Sequence, residues 1–487
     1  MDLVKCILSD KKTTIRILVA LIVICASIFC LESSSLIHDG DEVHSLIFSS
    51  NNRNNFEYLK NSEGLSLRAQ EIKDLLFEQN DFNINEVFFS TVQEDVHPPL
   101  YYLTLHCINV FVNDIEISAY IFMMILLIIL ITFIHKNLKL RLYQAIWMVA
   151  LIPNLIYVIP EIRPYFLLFI IAFIFYYLVK RQSESWKSLI TLCVLLILGI
   201  SCNYYFIFFV FSVLVAYSSG SFLKNKKFIL MFLISLVFGL LFFQITGNQL
   251  SINTDLGNSI NLMDRLTNFF IAFSAIFIPI WNIKLMGPEY FLFTFICSVL
   301  FIVVNVILFV RRYFSIFQLK TPDIRMFMIY ITILFLLYVI GLTPHYAIGG
   351  KYFILASIPL LFYFYDKFSN DLPVFFKAYL ILFFLCSLMG KVYFDSTENN
   401  EITKIIEDER ELMVNKFDEF TVLRIVLEMK ENTRITQENI TDSALNSQKR
   451  YLLASKYLKN SNAIHKHRNI DSLVLNNYLV TCLYLDK

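Results

Sequence analysis

An all-α polytopic membrane protein with about eleven transmembrane helices is the fold class this sequence predicts, and three observations predict it. Of 487 residues, 57% are hydrophobic and only 17% charged, whereas a soluble chain carries roughly a quarter charged residues. The apolar residues gather in runs such as ISAYIFMMILLIILITFI (Ile117 to Ile134), long enough to cross a bilayer. Basic residues gather in short loops between such runs, as cytoplasmic loops require.

The first run, Ile15 to Leu31, follows Lys5, Lys11, Lys12 and Arg16. A signal peptide would share that pattern, but the chain returns to the membrane afterwards, so a retained helix with a cytoplasmic N terminus is expected. Further spans are expected near 117–134, 143–160, 164–180, 188–202, 204–219, 228–246, 290–310, 326–342, 352–365 and 374–391. The basic groups Lys136/Lys139/Arg141, Lys180/Arg181/Lys187, Lys224/Lys226/Lys227 and Arg311/Arg312/Lys320/Arg325 all fall inside only if the segment after His97 does not span. By the same parity FFIAFSAIFIPIWNI, after an outer loop at 247–268, is expected to be re-entrant or in-plane.

In the stretch QEDVHPPLYYLTLH, two prolines begin an apolar run instead of ending one. Proline is tolerated in a first helical turn, where the N–H groups lack partners anyway, and Pro98 drives His97 towards an extended conformation. Tyr102, His106, Asn109 and Asn113 recur at helical spacing and form a polar stripe. The segment therefore reads as a rigid corner feeding an interfacial helix; a short span from Pro98 to Val112 is the alternative. Within the long outer loop, SLRAQEIKDLLFEQ reads as a short amphipathic helix with Ile72, Leu75 and Leu76 on one face.

The expected organisation is a transmembrane domain over 1–394, with 32–116 as its first outer loop, and a small extracytoplasmic C-terminal domain over 395–487. In the latter, ITKIIEDERELMVNKFDEF reads as a helix, and SLVLNNYLVTCLYL as a strand or a buried helix. A net charge of +1 gives no general affinity for nucleic acid. The nine cysteines form neither a zinc pattern nor a disulfide framework.

On this topology the unusual polar groups fall on one side: HDGDEVH, EDVHPP, PEIRPY, CNYYF and TPHYAIGGKYF. A charge near the membrane core costs roughly 2.5–3.5 kcal/mol, so several at one surface point to a site. Each also has a plain reading. Asp39, Asp41 and Glu42 could solvate a loop, or one could act as a general base. His97 could cap a helix or sit among headgroups, or bind substrate from a corner fixed by prolines. Arg163 could snorkel or pair with Glu161, or hold phosphate with its fork. Lys351 could be a flanking anchor.

Together, DGDEVHSL, the long outer loop, DVHPPLYYLTLH and EIRPYFLL resemble the polyprenyl-phosphate-dependent membrane glycosyltransferases of the GT-C superfamily. The branch is the one containing protein mannosyltransferases and the aminoarabinose transferase. The resemblance covers mainly the first 210 residues. It implies a GT-C-like bundle in which an acidic pair opening the first outer loop carries the catalytic base, here Asp41 and Glu42, with Asp41 first. It assigns Asp95, His97, Arg163, Tyr165, Lys351 and Tyr352 to substrate and donor-phosphate binding. Lysine at 351 keeps the charge of the family's arginine but loses its bidentate geometry. Asn203 and Tyr204 stand where many relatives carry His-Tyr.

The implied reaction moves a hexose or pentose from a polyprenyl-phosphate donor to an acceptor hydroxyl on a glycan, lipid or protein, with inversion. The implied location is a bacterial inner (plasma) membrane, with the active site on the extracytoplasmic side. No cofactor or metal ligand set is assigned, although Asp39, Asp41 and Glu42 offer a place for a divalent cation. A transporter or flippase of lipid-linked sugars, a polymerase or ligase using them, and a purely structural membrane protein remain the alternatives.

Overall fold

The computed structural model describes residues 40–62, 65–77, 82–94, 98–150, 162–181, 185–203, 205–217, 321–340, 351–368, 411–414, 429–437, 451–454, 470–475 and 478–483, with isolated positions between them. Of these residues 81% are helical. The expected spans at 15–31, 290–310 and 374–391 lie outside the described residues, and those at 228–246 and the re-entrant segment almost wholly so.

Among the described residues two helices are long and apolar enough to cross a membrane, Ile115–Asn137 and Pro322–Ile340. The first, with 23 residues, is about 34 Å long at 1.5 Å per residue. Asp114 caps it by accepting from the Ile117 N–H at 2.9 Å, and Glu116 in its first turn and Lys136 in its last complement the helix dipole. Ile115, Ser118, Ala119, Phe122, Leu126 and Leu130 are buried, while Ile117, Ile121, Ile125 and Ile128 are exposed. Helices apolar all round, with one face on protein and the other bare, are what a bilayer position demands.

In chain order the elements are α1 (Gly40–Ser49), α2 (Arg53–Asn61), β1 (Ser66–Arg68), α3 (Ala69–Phe77), α4 (Ile84–Glu94), α5 (Leu100–Val112), α6 (Ile115–Asn137), α7 (Leu142–Ala150), α8 (Tyr165–Lys180), α9 (Trp186–Ile200), α10 (Tyr205–Ala216) and α11 (Pro322–Ile340). A 3-10 helix (Lys351–Ala356) then leads into α12 (Ser357–Phe368), followed by β2 (Glu411–Val414), β3 (Arg434–Gln437), β4 (Tyr451–Ala454), β5 (Ile470–Leu475) and β6 (Tyr478–Leu483).

Helix α8 is the axis of the bundle. Proline opens it, and its tyrosines, phenylalanines and isoleucines are buried nearly all round. It runs parallel to α12: Phe362 lies 4.9 Å from Phe173, and one turn on Asp366 accepts from Lys180 at 2.7 Å. Helix α6 ends beside the same place, where the Tyr177 hydroxyl donates to the Asn137 carbonyl at 3.2 Å. Helix α11 runs the opposite way, since Asp323 near its start meets Lys180 and Tyr338 near its end lies 6.0 Å from Phe353. The bundle therefore has two ends. Lys136, Lys139, Arg141, Lys180, Arg181, Lys187 and Arg325 stand at one; the starts of α6 and α8, the 200–205 turn and the 3-10 helix stand at the other.

The stripe on α5 faces mostly inward. Tyr102, His106 and Asn109 are fully buried, while Phe111 is 89% exposed. Three of the stripe's polar groups thus face the protein beside Tyr101 and Leu105, while Asn113, at the helix end, is exposed. At 13 residues, α5 is about 20 Å long, short of a bilayer's roughly 30 Å core. It stops at Asn113, which takes the left-handed conformation (φ 58°) that asparagine tolerates.

In the C-terminal region one segment differs from expectation and another takes its strand alternative. Residues 411–414, inside the expected 402–420 helix, form a strand. The ambiguous SLVLNNYLVTCLYL is an antiparallel pair, β5 with β6, whose Leu475↔Tyr478 register leaves two residues between the strands. The six-stranded sheet has the order β1-β3-β2-β4-β6-β5. Its first strand comes from residues 66–68, far upstream, so that segment completes the unit expected at 395–487.

Candidate functional site

Helix α1 carries the acidic motif. Asp41 and Glu42 occupy its first turn, where carboxylates suit the helix dipole. Val43, Leu46, Ile47 and Phe48 bury its other side at helical spacing. The Glu42 carboxylate accepts from the Ile162 backbone N–H at 3.1 Å. One residue on, the buried Arg163 donates from Nη1 to the Ser45 hydroxyl at 3.3 Å. The acidic motif and the EIRPY motif therefore meet, although 118 residues separate Ser45 from Arg163. Asp41 stands four residues before Ser45, which puts it on the same helical face. Its side chain lies outside the described part of the structure, as do those of Asp95, His97, Lys351 and Tyr352.

Two further motifs join this end. The Cys202 thiol donates to the Pro164 carbonyl at 3.4 Å, and the Leu100 N–H donates to the Ser201 carbonyl at 3.2 Å. Pro98 and Pro99 are buried in this corner, so the start of α5 sits against residues 201–202, which themselves sit against Pro164. Asn203 has a structural task here: its Oδ1 accepts from the Tyr205 N–H at 2.9 Å and starts α10. Tyr165 is buried in the first turn of α8.

Lys351 and Tyr352 begin the 3-10 helix. Because α12 runs parallel to α8, with Phe362 beside Phe173 and Asp366 beside Lys180, that start is level with the Arg163 end of α8. The backbone thus brings the acidic helix, the proline corner, Arg163, Tyr165 and the Lys351 segment to one end of the bundle.

The tyrosine helix α5 packs against α1 and α6. Tyr102 lies 6.5 Å from Phe48, and Tyr101 packs on Phe122 of α6 at 5.9 Å. His106 Nδ1 lies 2.8 Å from the Ser49 carbonyl, and its ring stacks on Phe82 at 5.3 Å. Facing a carbonyl, Nδ1 must carry the proton, which leaves Nε2 as a bare lone pair. Burial pushes the His106 pKa down, and the Ser49 carbonyl works the other way.

Ser45, Ser201 and Cys202 were not singled out in the sequence as site residues. Ser45 had a signal, being one helical turn beyond Asp41 and Glu42, and Cys202 opens the CNYYF motif; Ser201 contributes through a backbone carbonyl that no motif marks. Among the described residues no group of three potential metal ligands gathers, and Asp39 and the Asp41 side chain lie outside them. No family model, curated protein or solved structure matches the chain.

Proposed function

We propose that this protein is a polytopic membrane glycosyltransferase that moves a sugar from a polyprenyl-phosphate donor to an acceptor hydroxyl at the extracytoplasmic face of a bacterial plasma membrane. The observation that carries the reading is the junction of two motifs: Glu42 on the Ile162 N–H and Arg163 on Ser45. A carboxylate-bearing helix held against a buried guanidinium is the pairing that base-assisted attack on a phosphate-linked sugar needs. The basic end of the bundle then faces the cytoplasm, and about eleven spans complete the fold.

In the reaction the Asp41 carboxylate takes the acceptor hydroxyl's proton while that oxygen attacks the anomeric carbon. The bond from that carbon to the phosphate oxygen breaks, and the electron pair leaves with polyprenyl phosphate. Arg163, with Lys351, holds the phosphate as its charge grows. The leaving group is already good, so no strong general acid is required, and a single displacement inverts the anomeric centre. A sugar-lipid flippase would instead keep its polar groups near the bilayer midplane, between broken helices.

Membranes carrying the full chain, incubated with labelled polyprenyl-phosphate sugars, test this reading. Native protein transfers label, Asp41→Asn does not, and Glu42→Gln keeps part of the activity because its amide oxygen still accepts the Ile162 N–H. Equal transfer by native and Asp41→Asn protein would remove Asp41 as the base. A cysteine introduced at Asn54 and labelled only from outside checks the orientation.

A further inference from the structure

The strand from the first outer loop is joined to the C-terminal region along its whole length. Ser66, Leu67 and Arg68 pair antiparallel with Thr436, Ile435 and Arg434. The Gln437 N–H donates to the Leu65 carbonyl at 2.8 Å, the Ser66 and Thr436 hydroxyls lie 3.1 Å apart, and Arg434 Nε donates to the Ser66 hydroxyl at 2.8 Å. Gln437, itself buried, reaches the Lys60 carbonyl at 3.3 Å.

Helix α3 continues directly from this strand, and both of its ends are satisfied from elsewhere. A helix leaves its first N–H groups and last carbonyls without internal partners. At the start, the Ala69 and Gln70 N–H groups donate to the Thr433 and Glu431 carbonyls, at 2.9 and 3.3 Å. At the end, the Leu76 carbonyl accepts from Ser50 Oγ at 2.8 Å and Asn52 Nδ2 at 3.0 Å, and the Leu75 carbonyl from Asn55 Nδ2 at 2.8 Å. Ser50 and Asn52 are buried and follow directly on α1. The nine-residue α3 is therefore a strut with the C-terminal sheet at one end and the acidic helix at the other.

We propose that the C-terminal sheet is a positioning element for catalysis: through β1 and α3 it fixes where α1, which carries Asp41 and Glu42, meets the Ile162–Arg163 segment. This rests on the reading of those residues as catalytic, but its first test does not need a substrate.

Hydrogen exchange is measured on the detergent-solubilised full chain for native protein, Leu67→Pro, which removes a ladder N–H, and Leu67→Val, which keeps it. Exchange of amides 40–52 rises about tenfold in Leu67→Pro, stays native in Leu67→Val, and is unchanged across 186–216 in both. Unchanged exchange at 40–52, or an equal rise across 186–216, overturns the proposal. A second variant guards against simple misfolding. Oxidised Ser66→Cys/Thr436→Cys, bridging paired positions, keeps exchange at 40–52 at or below native in a reductant-reversible way, and faster exchange there overturns the strut. In the transfer assay, Leu67→Pro lowers kcat while KM for the lipid donor holds. Transfer absent from the native chain would defeat the glycosyltransferase reading and leave the exchange result standing.

Discussion

Arg163 reaches the Ser45 hydroxyl from a side chain only 4% exposed, across 118 residues of chain. A buried guanidinium so placed must be held by specific partners. On the proposed glycosyltransferase reading, Arg163→Gln should lower sugar transfer on the order of 10²–10³-fold, the usual scale for removing one charge-stabilising donor. Arg163→Lys should recover only part of it, having lost the planar fork. Ser45→Ala should cost no more than about tenfold, because one hydrogen bond to a charged group is at stake. Initial rates at saturating donor separate the three.

Acid should loosen the α1–α5 contact. The folded His106 pKa lies below its ordinary 6.5. Its contribution is therefore complete above that pH and lost as pH falls through the lower folded value. The physical cause is that protonation would put a charge and an Nε2 donor into a site where Nε2 finds no acceptor among the described residues. Thermal midpoints measured from pH 7 to pH 5 should fall more steeply for native protein than for His106→Gln.

At the far end of α8, Asp323 is a buried carboxylate held by Lys180 at 2.8 Å, the Tyr176 hydroxyl at 2.5 Å and the Tyr217 hydroxyl at 3.3 Å. Breaking a buried pair costs about 3–5 kcal/mol, but Lys180 keeps Asp366, so Asp323→Ala should cost ~1–3 kcal/mol. The midpoint should drop by several degrees. Transfer at a permissive temperature should persist, because α8 puts about 22 Å between this cluster and the Arg163 end.

Gly199 allows a close approach. A Cβ there would come within 2.3 Å of the Phe206 ring, which is fully buried and packed edge-on against Phe175. Gly199→Ala should destabilise by ~1–3 kcal/mol, the range for overpacking a core. Combining it with Phe206→Leu should cost less than the sum of the two single changes, which a double-mutant cycle in thermal unfolding reads directly.

Much of the outline was legible from residue order alone. The run from Ile117 to Ile134 announced α6 because its composition leaves a helix as the one way to satisfy backbone groups in lipid. The prolines at 98 and 99 announced a helix start, and the spacing of basic residues separated the two ends of the bundle. What was misread involved the choice of partner. Residues 411–414 sit in an acidic, helix-favouring stretch, yet pair with strands on either side, and strand preference follows such neighbours more than local propensity.

The sequence by itself determined which runs are apolar enough to cross a membrane and which polar motifs flank those runs, since hydropathy and helical period are local properties. Only the tertiary structure decided what those motifs touch. It turned the His106–Asn109 stripe inward, set Glu42 on the Ile162 N–H and Arg163 on Ser45, and joined residues 66–68 to 434–436. Each of these is a contact between groups far apart in the chain. Their geometry comes from packing and hydrogen-bond satisfaction across the whole fold, which no local window of residues contains.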